Sequence, residues 1–193
     1  MVGAVAIALI LVVSIEAMTT STPVDGVRGI IRATARSSFA LFSLAFTASA
    51  AFHFWRNAWT RWQLRNRRYL GVSFALSHGV HLLAILALAR ISPAELAAHA
   101  TAVTWIFGGL AYVFIALMTI TSFDSTAPLI SRRAWSILHT FGAYYIWLIF
   151  ASSYFSRAAV IPAYIPVATV VVFILGLRLA ARVSKSRARH AMP

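Results

Sequence analysis

Six histidines are the side chains of this sequence best suited to chemistry inside a membrane: His53, His78, His81, His99, His139 and His190. His78 and His81 fall in the middle of one apolar run, three residues apart, so a helix would turn both toward roughly the same side. His139 falls in the first turns of a later apolar run, and His53 at the end of an earlier one beside Trp55 and Arg56. His99 lies in a connecting segment and His190 in the C-terminal tail, so neither is counted as a site residue. A neutral imidazole can bind the iron of a b-type heme without bringing net charge into lipid, and two helices that each offer one can clamp a porphyrin. The plainer role for an intramembrane histidine is an interhelical hydrogen bond. That role suits His53, near the headgroups, and His78, set between Ser77 and Gly79, better than His81 or His139.

The elements that would position these residues follow from composition. Of 193 residues, 61% are hydrophobic and only 11% charged, and mean hydropathy is +0.81. A soluble domain has roughly 25% charged residues, so part of this chain's solvent must be lipid. Six apolar segments come close to the roughly 20 residues needed to span hydrocarbon. They run over 2–18, 37–54, 69–88, 100–121, 134–154 and 160–180. The expected fold is therefore all-α: a polytopic transmembrane bundle of about six helices. The first segment lacks a positive leader, which favours a retained helix over a secretory signal. Arg28, Arg32 and Arg36 recur every four residues and would form one stripe if the lead-in to the second segment is helical. Pro166 could kink the last helix. Residues 1–20 form an N-terminal helix outside the core, 26–181 the bundle, and 182–193 a loose basic tail.

Net charge is +13, with 17 Lys+Arg against 4 Asp+Glu. The basic residues cluster in short stretches between apolar runs, the pattern of loops beside anionic headgroups rather than of a nucleic-acid-binding face. With the termini and the loops around 56–68 and 132–133 on one side, that side holds 12 basic residues and the other 5. The positive-inside rule then places both termini in the cytoplasm. Sixteen of the 17 are arginine, a composition that fits a GC-rich bacterial source, and the expected location is a bacterial inner membrane. With no cysteine, thiol redox chemistry, Fe–S clusters and thiolate-bound zinc are excluded. No P-loop, dinucleotide fingerprint or HExxH motif occurs, so the chain binds no flavin or NAD(P) of its own. A small transporter is the remaining class compatible with this composition, but the sequence has no inverted repeat and no acidic residue suited to an intramembrane proton relay.

Two stretches are more specific. From Arg67 the chain reads RRYLGVSFALSHGVHLLAI, and from Arg132 it reads RRAWSILHTFGAYYIWLIF. Both resemble the ferric reductase-like transmembrane domain family, and most closely its bacterial MsrQ-type heme-binding membrane subunits. The matching residues are Arg67, Arg68, Leu70, Gly71 and His81, then Thr121, Ser122, Leu138 and His139. The resemblance covers about residues 26 to 155. It implies heme b held by His81 and His139, with His78 as an alternative, and propionates met by Arg67, Arg68, Arg132 and Arg133. It also implies electron transfer from a quinol or a redox partner protein.

One departure counts against a simple site. The family has a second histidine about 13 residues after the first on the later helix, and Ser152 stands there. Depth counted from the paired arginines puts His81 13 residues in and His139 six residues in, a difference of about 10 Å. His78 reduces the difference to about 6 Å. Three outcomes remain open: a heme shared by the two helices, a heme on a single histidine, or a heme-free scaffold or accessory subunit.

Orientation is directly measurable because the chain has no native cysteine. A membrane-impermeant maleimide should label Glu95→Cys in intact cells and Arg61→Cys only after permeabilisation. The opposite pattern would invert the topology.

Overall fold

The computed structural model describes residues 1–190, with the side chains of all but His99, Arg189 and His190. Eight α-helices account for almost all of it: α1 (Val2–Thr19), α2 (Pro23–Phe54), α3 (Ala58–Arg65), α4 (Arg67–Ile91), α5 (Pro93–His99), α6 (Ala102–Ile120), α7 (Arg132–Ala158) and α8 (Ile165–His190). Six segments are long and apolar enough to cross a membrane: α1, α2, α4, α6, α7 and Pro162–Ala188, which contains most of α8. There is no strand among the described residues. The expected all-α bundle of six spans is what the chain forms.

Helix α2 starts much earlier than the apolar pattern suggests. Thr22 caps it by accepting from the Asp25 backbone N–H, and Pro23 occupies its first turn, where no amide donor is needed. The arginine stripe is thus the first third of one 32-residue helix rather than a separate lead-in. Proline likewise starts a helix in the last span. Pro162 lies in a short 3-10 turn and Pro166 in the first turn of α8, so neither kinks a helix interior. Residues 182–190 continue α8 as helix instead of forming a loose tail, and 191–193 lie outside the described residues.

The connection from α2 to α4 contains the amphipathic helix α3. Asn57 and Thr60 form a reciprocal capping box. Gln63 turns inward and donates to the Leu44 carbonyl (2.8 Å) and to Thr47 Oγ1 (3.1 Å) on α2. Trp59 and Trp62 stack at 5.0 Å on the exposed side, flanked by Arg61 and Arg65. Exposed tryptophan beside arginine is the composition of a helix lying in the headgroup layer.

The centre of the bundle is the pairing of α2 with α4. Thr34, Ser38, Ser73 and Ser77 are fully buried along this seam. Ser77 Oγ meets Ser37 Oγ at 2.8 Å and Ser38 Oγ at 2.9 Å, and donates to the Thr34 carbonyl at 3.3 Å. Small hydroxyl residues allow close backbone approach and supply cross-helix bonds where water cannot. Beyond them an aromatic core joins α2, α4 and α7: Phe39, Phe42, Phe46, Phe74, Phe150 and Tyr154. Helix α1 buries only Leu9 of its own residues, yet it packs against both α2 and α4.

Ser77→Ala should cost about 1 kcal/mol, near the value for one or two intramembrane hydrogen bonds. Ser77→Leu, which must also force α2 and α4 apart, should cost about 3 kcal/mol. Unfolding by added SDS in mixed micelles checks both values; equal losses would mean that close packing at this seam is unimportant.

Candidate functional site

His81 faces α2. Its Nδ1 lies 3.0 Å from the Ile31 carbonyl oxygen and 3.1 Å from Thr34 Oγ1. A carbonyl only accepts, so Nδ1 bears the proton. The Thr34 hydroxyl spends its own proton on the Ile30 carbonyl at 2.6 Å and accepts from the ring. Nε2 of His81 is therefore the unprotonated nitrogen. This is the posture of a metal-binding histidine, whose second nitrogen is fixed by a backbone acceptor.

His78 is one turn toward the start of α4, its ring stacked on that of His81 at 5.1 Å. It also stacks on Tyr112 of α6 at 5.0 Å and contacts Phe74 and Phe150 at 5.4 and 5.9 Å. The Tyr112 hydroxyl reaches the His78 backbone carbonyl at 3.4 Å rather than the ring. His78 Nδ1 is buried and has no hydrogen-bond partner among the described residues, which is costly in an apolar surround.

His139 does not join this pair. Its ring stacks on Trp135 one turn earlier, at 4.0 Å. Its Nε2 is 3.0 Å from Thr121 Oγ1, whose proton goes to the Leu117 carbonyl at 2.7 Å, so the histidine donates. The Trp135 indole donates to the Thr121 carbonyl, pinning the start of α7 to the end of α6. Phe150 is the α7 residue that meets His78. His139 precedes it by 11 residues, about 16 Å along the helix. Two ligands of one iron cannot be that far apart.

The depth counted from the arginine pairs is therefore too generous, because the two pairs do not lie at one level. Phe74 and Phe150 are in contact, at 6.2 Å. Arg68 is six residues before Phe74, whereas Arg133 is 17 before Phe150. Helix α7 begins well beyond the start of α4. Ser152 is exposed on the outside of α7, while Phe150, Ala151 and Tyr154 are buried. A histidine at that position would not face α4 without rotation of the helix.

The remaining expected residues scatter. Arg68 pairs with Asp124 at 2.7 Å. Arg132 and Arg133 are exposed in the first turn of α7. Arg67 is half-buried at the start of α4, 11 residues before His78. His53 Nε2 meets Ser184 Oγ at 3.1 Å and ties α2 to α8, the plain interhelical role. The side chain of His99 lies outside the described residues. No group of three or more metal-binding side chains of the His, Cys, Asp and Glu types occurs among the described residues. The two α4 imidazoles thus stand together, and His139 stands apart from them.

The sequence did not point to the α2 side of this site. Ile31 and Thr34 sit within the arginine stripe, before the apolar run begins. The available signal was the spacing of Thr34, Ser37 and Ser38 at i, i+3 and i+4, a hydroxyl face one helix turn wide.

Nitrogen-15 NMR of histidine-labelled protein should show His81 as the Nδ1–H tautomer and His139 as the Nε2–H tautomer. A protonated Nε2 on His81 would contradict the contact to Ile31. Comparison with family models, with curated proteins and with solved structures gives no match.

Proposed function

We propose that the chain is a heme b-binding membrane protein for electron transfer, of the ferric reductase-like type, with His81 as the iron ligand. The observation that supports this reading is the set of the His81 ring: half-buried, fixed at Nδ1 by the Ile31 carbonyl, and with Nε2 uncommitted. The orphaned Nδ1 of His78 beside it is a second basic nitrogen in search of a partner. A bound heme would supply one-electron chemistry that no side chain of this cysteine-free sequence offers. The chain's own part would be to orient the imidazole, through Ile31 and Thr34, and to exclude water with the surrounding aromatic rings. The positive-inside count supports a bacterial inner membrane location with both termini in the cytoplasm. Electrons would come from a quinol or a partner protein, since the sequence has no flavin or NAD(P) motif.

A second reading is a heme-free scaffold or accessory subunit built on the same helices. Phe74, Phe150 and Tyr112 already surround His78, and Ser152 faces outward, so the volume between α4 and α7 is filled by protein.

The absorption spectrum of protein expressed with ample heme precursor separates the two. The heme reading expects a Soret band that His81→Ala abolishes and His139→Ala leaves in place. A stable, colourless wild-type protein would establish the scaffold reading instead, and a band lost only in His139→Ala would move the ligand to α7.

A further inference from the structure

Among the described residues, Arg178 is the one arginine buried in the bundle, at 9% exposure. It lies on α8 facing α2 and α7. Its Nη1 donates to the Phe46 carbonyl at 2.8 Å, and its guanidinium lies over the rings of Phe46 at 4.2 Å and Tyr144 at 5.1 Å. Arg182, one turn on and exposed, covers the same Tyr144 ring at 4.9 Å. Arg67 adds a third positive charge to this neighbourhood. The Tyr144 hydroxyl is buried between these cations with its oxygen toward the Arg178 guanidinium, and its own proton meets no acceptor among the described residues.

A buried guanidinium has five donors and a full charge, and one carbonyl with two ring faces does not neutralise it. No acidic side chain of this chain supplies the missing anion. They number four. Glu16, Asp25 and Glu95 are at the other end of the bundle, near the start of α2 and in α5. Asp124 is held by Arg68. The counter-charge must come from outside the protein. The level is that of an interface: Phe46 lies eight residues before the end of α2, and Arg67 opens α4.

We propose that Arg178, Arg182 and the Tyr144 hydroxyl form a binding site for the phosphate of an anionic phospholipid, entered between α7 and α8 from the basic side of the membrane. Arg178 supplies the buried charge, Arg182 closes over the phosphate from the exposed side, and Tyr144 donates its free proton. Basic recesses between transmembrane helices on the cytoplasmic side are the setting in which such headgroups are recognised. The site does not rest on the heme reading, since it shares no residue with the α4 imidazoles.

The test uses the full chain in neutral detergent, with melting followed as phosphatidylglycerol, phosphatidylcholine or inorganic phosphate is added. Phosphatidylglycerol should raise the melting temperature by about 4 °C, the size expected for a saturated site in a chain of this length. Phosphatidylcholine should give less than half of that shift. Arg182→Gln and Tyr144→Phe should each lose most of it, whereas Arg61→Gln/Arg65→Gln, which removes two charges from the same face, should keep it. Retention of the full shift in Arg182→Gln and Tyr144→Phe would overturn the site. A full shift with inorganic phosphate alone would overturn the lipid assignment. Arg178→Gln is read by native mass spectrometry of retained lipid, which needs only the folded fraction. Loss of the bound phosphatidylglycerol is expected there, and its retention would remove Arg178 from the site.

Discussion

Between helices in hydrocarbon, burying an apolar side chain gains little, because lipid tails are as apolar as leucine. The bundle therefore depends on one seam where something stronger is available. Between α2 and α4 the residues are small enough for the backbones to approach, and their hydroxyls bond across the gap. His81 is the last member of that ladder, held by Thr34 and Ile31 one turn beyond the serines. The candidate ligand is thus placed by the same contacts that join the two helices. A change that slides α2 against α4 would move the imidazole with it.

Two kinds of polar group sit inside this apolar body, and they are treated differently. His81 and His139 carry no charge and are fixed by acceptors the helices already contain. The arginine on α8 is charged and is met only by a carbonyl and two ring faces. Neutral groups can be satisfied within a chain that has almost no carboxylates. A cation cannot, and the imbalance of 17 basic against 4 acidic residues leaves it dependent on its surroundings.

The spans were legible in the sequence because an apolar run of about 20 residues with few charges matches the thickness of hydrocarbon and suits little else. The same is true of the shared side of His78 and His81, which needs only helical periodicity. The length of α2 was not legible. Arg28, Arg32 and Arg36 lower the local hydropathy, yet Thr22 and Pro23 are a conventional helix start, and the helix runs straight through the stripe. The relation between His139 and the α4 pair was also hidden. Sequence gives position along a helix but not the offset between helices, and here α7 is set by packing of Phe150 on Phe74 and of Trp135 on Thr121. The free state of Nε2 on His81 could not be foreseen either, because it depends on which carbonyl lies across the seam.

The helices differ greatly in length. At 1.5 Å per residue α2 is about 48 Å long, whereas α6, with 19 residues, is about 28 Å. A bilayer core is roughly 30 Å thick, so α2 must tilt or emerge and α6 only just crosses. Most of α6 faces outward, with Val103, Ile106, Leu110 and Val113 exposed. The outward helices α1 and α6, with 18 and 19 residues, therefore only just match the hydrocarbon, while α2, enclosed at the centre, carries its extra turns past it.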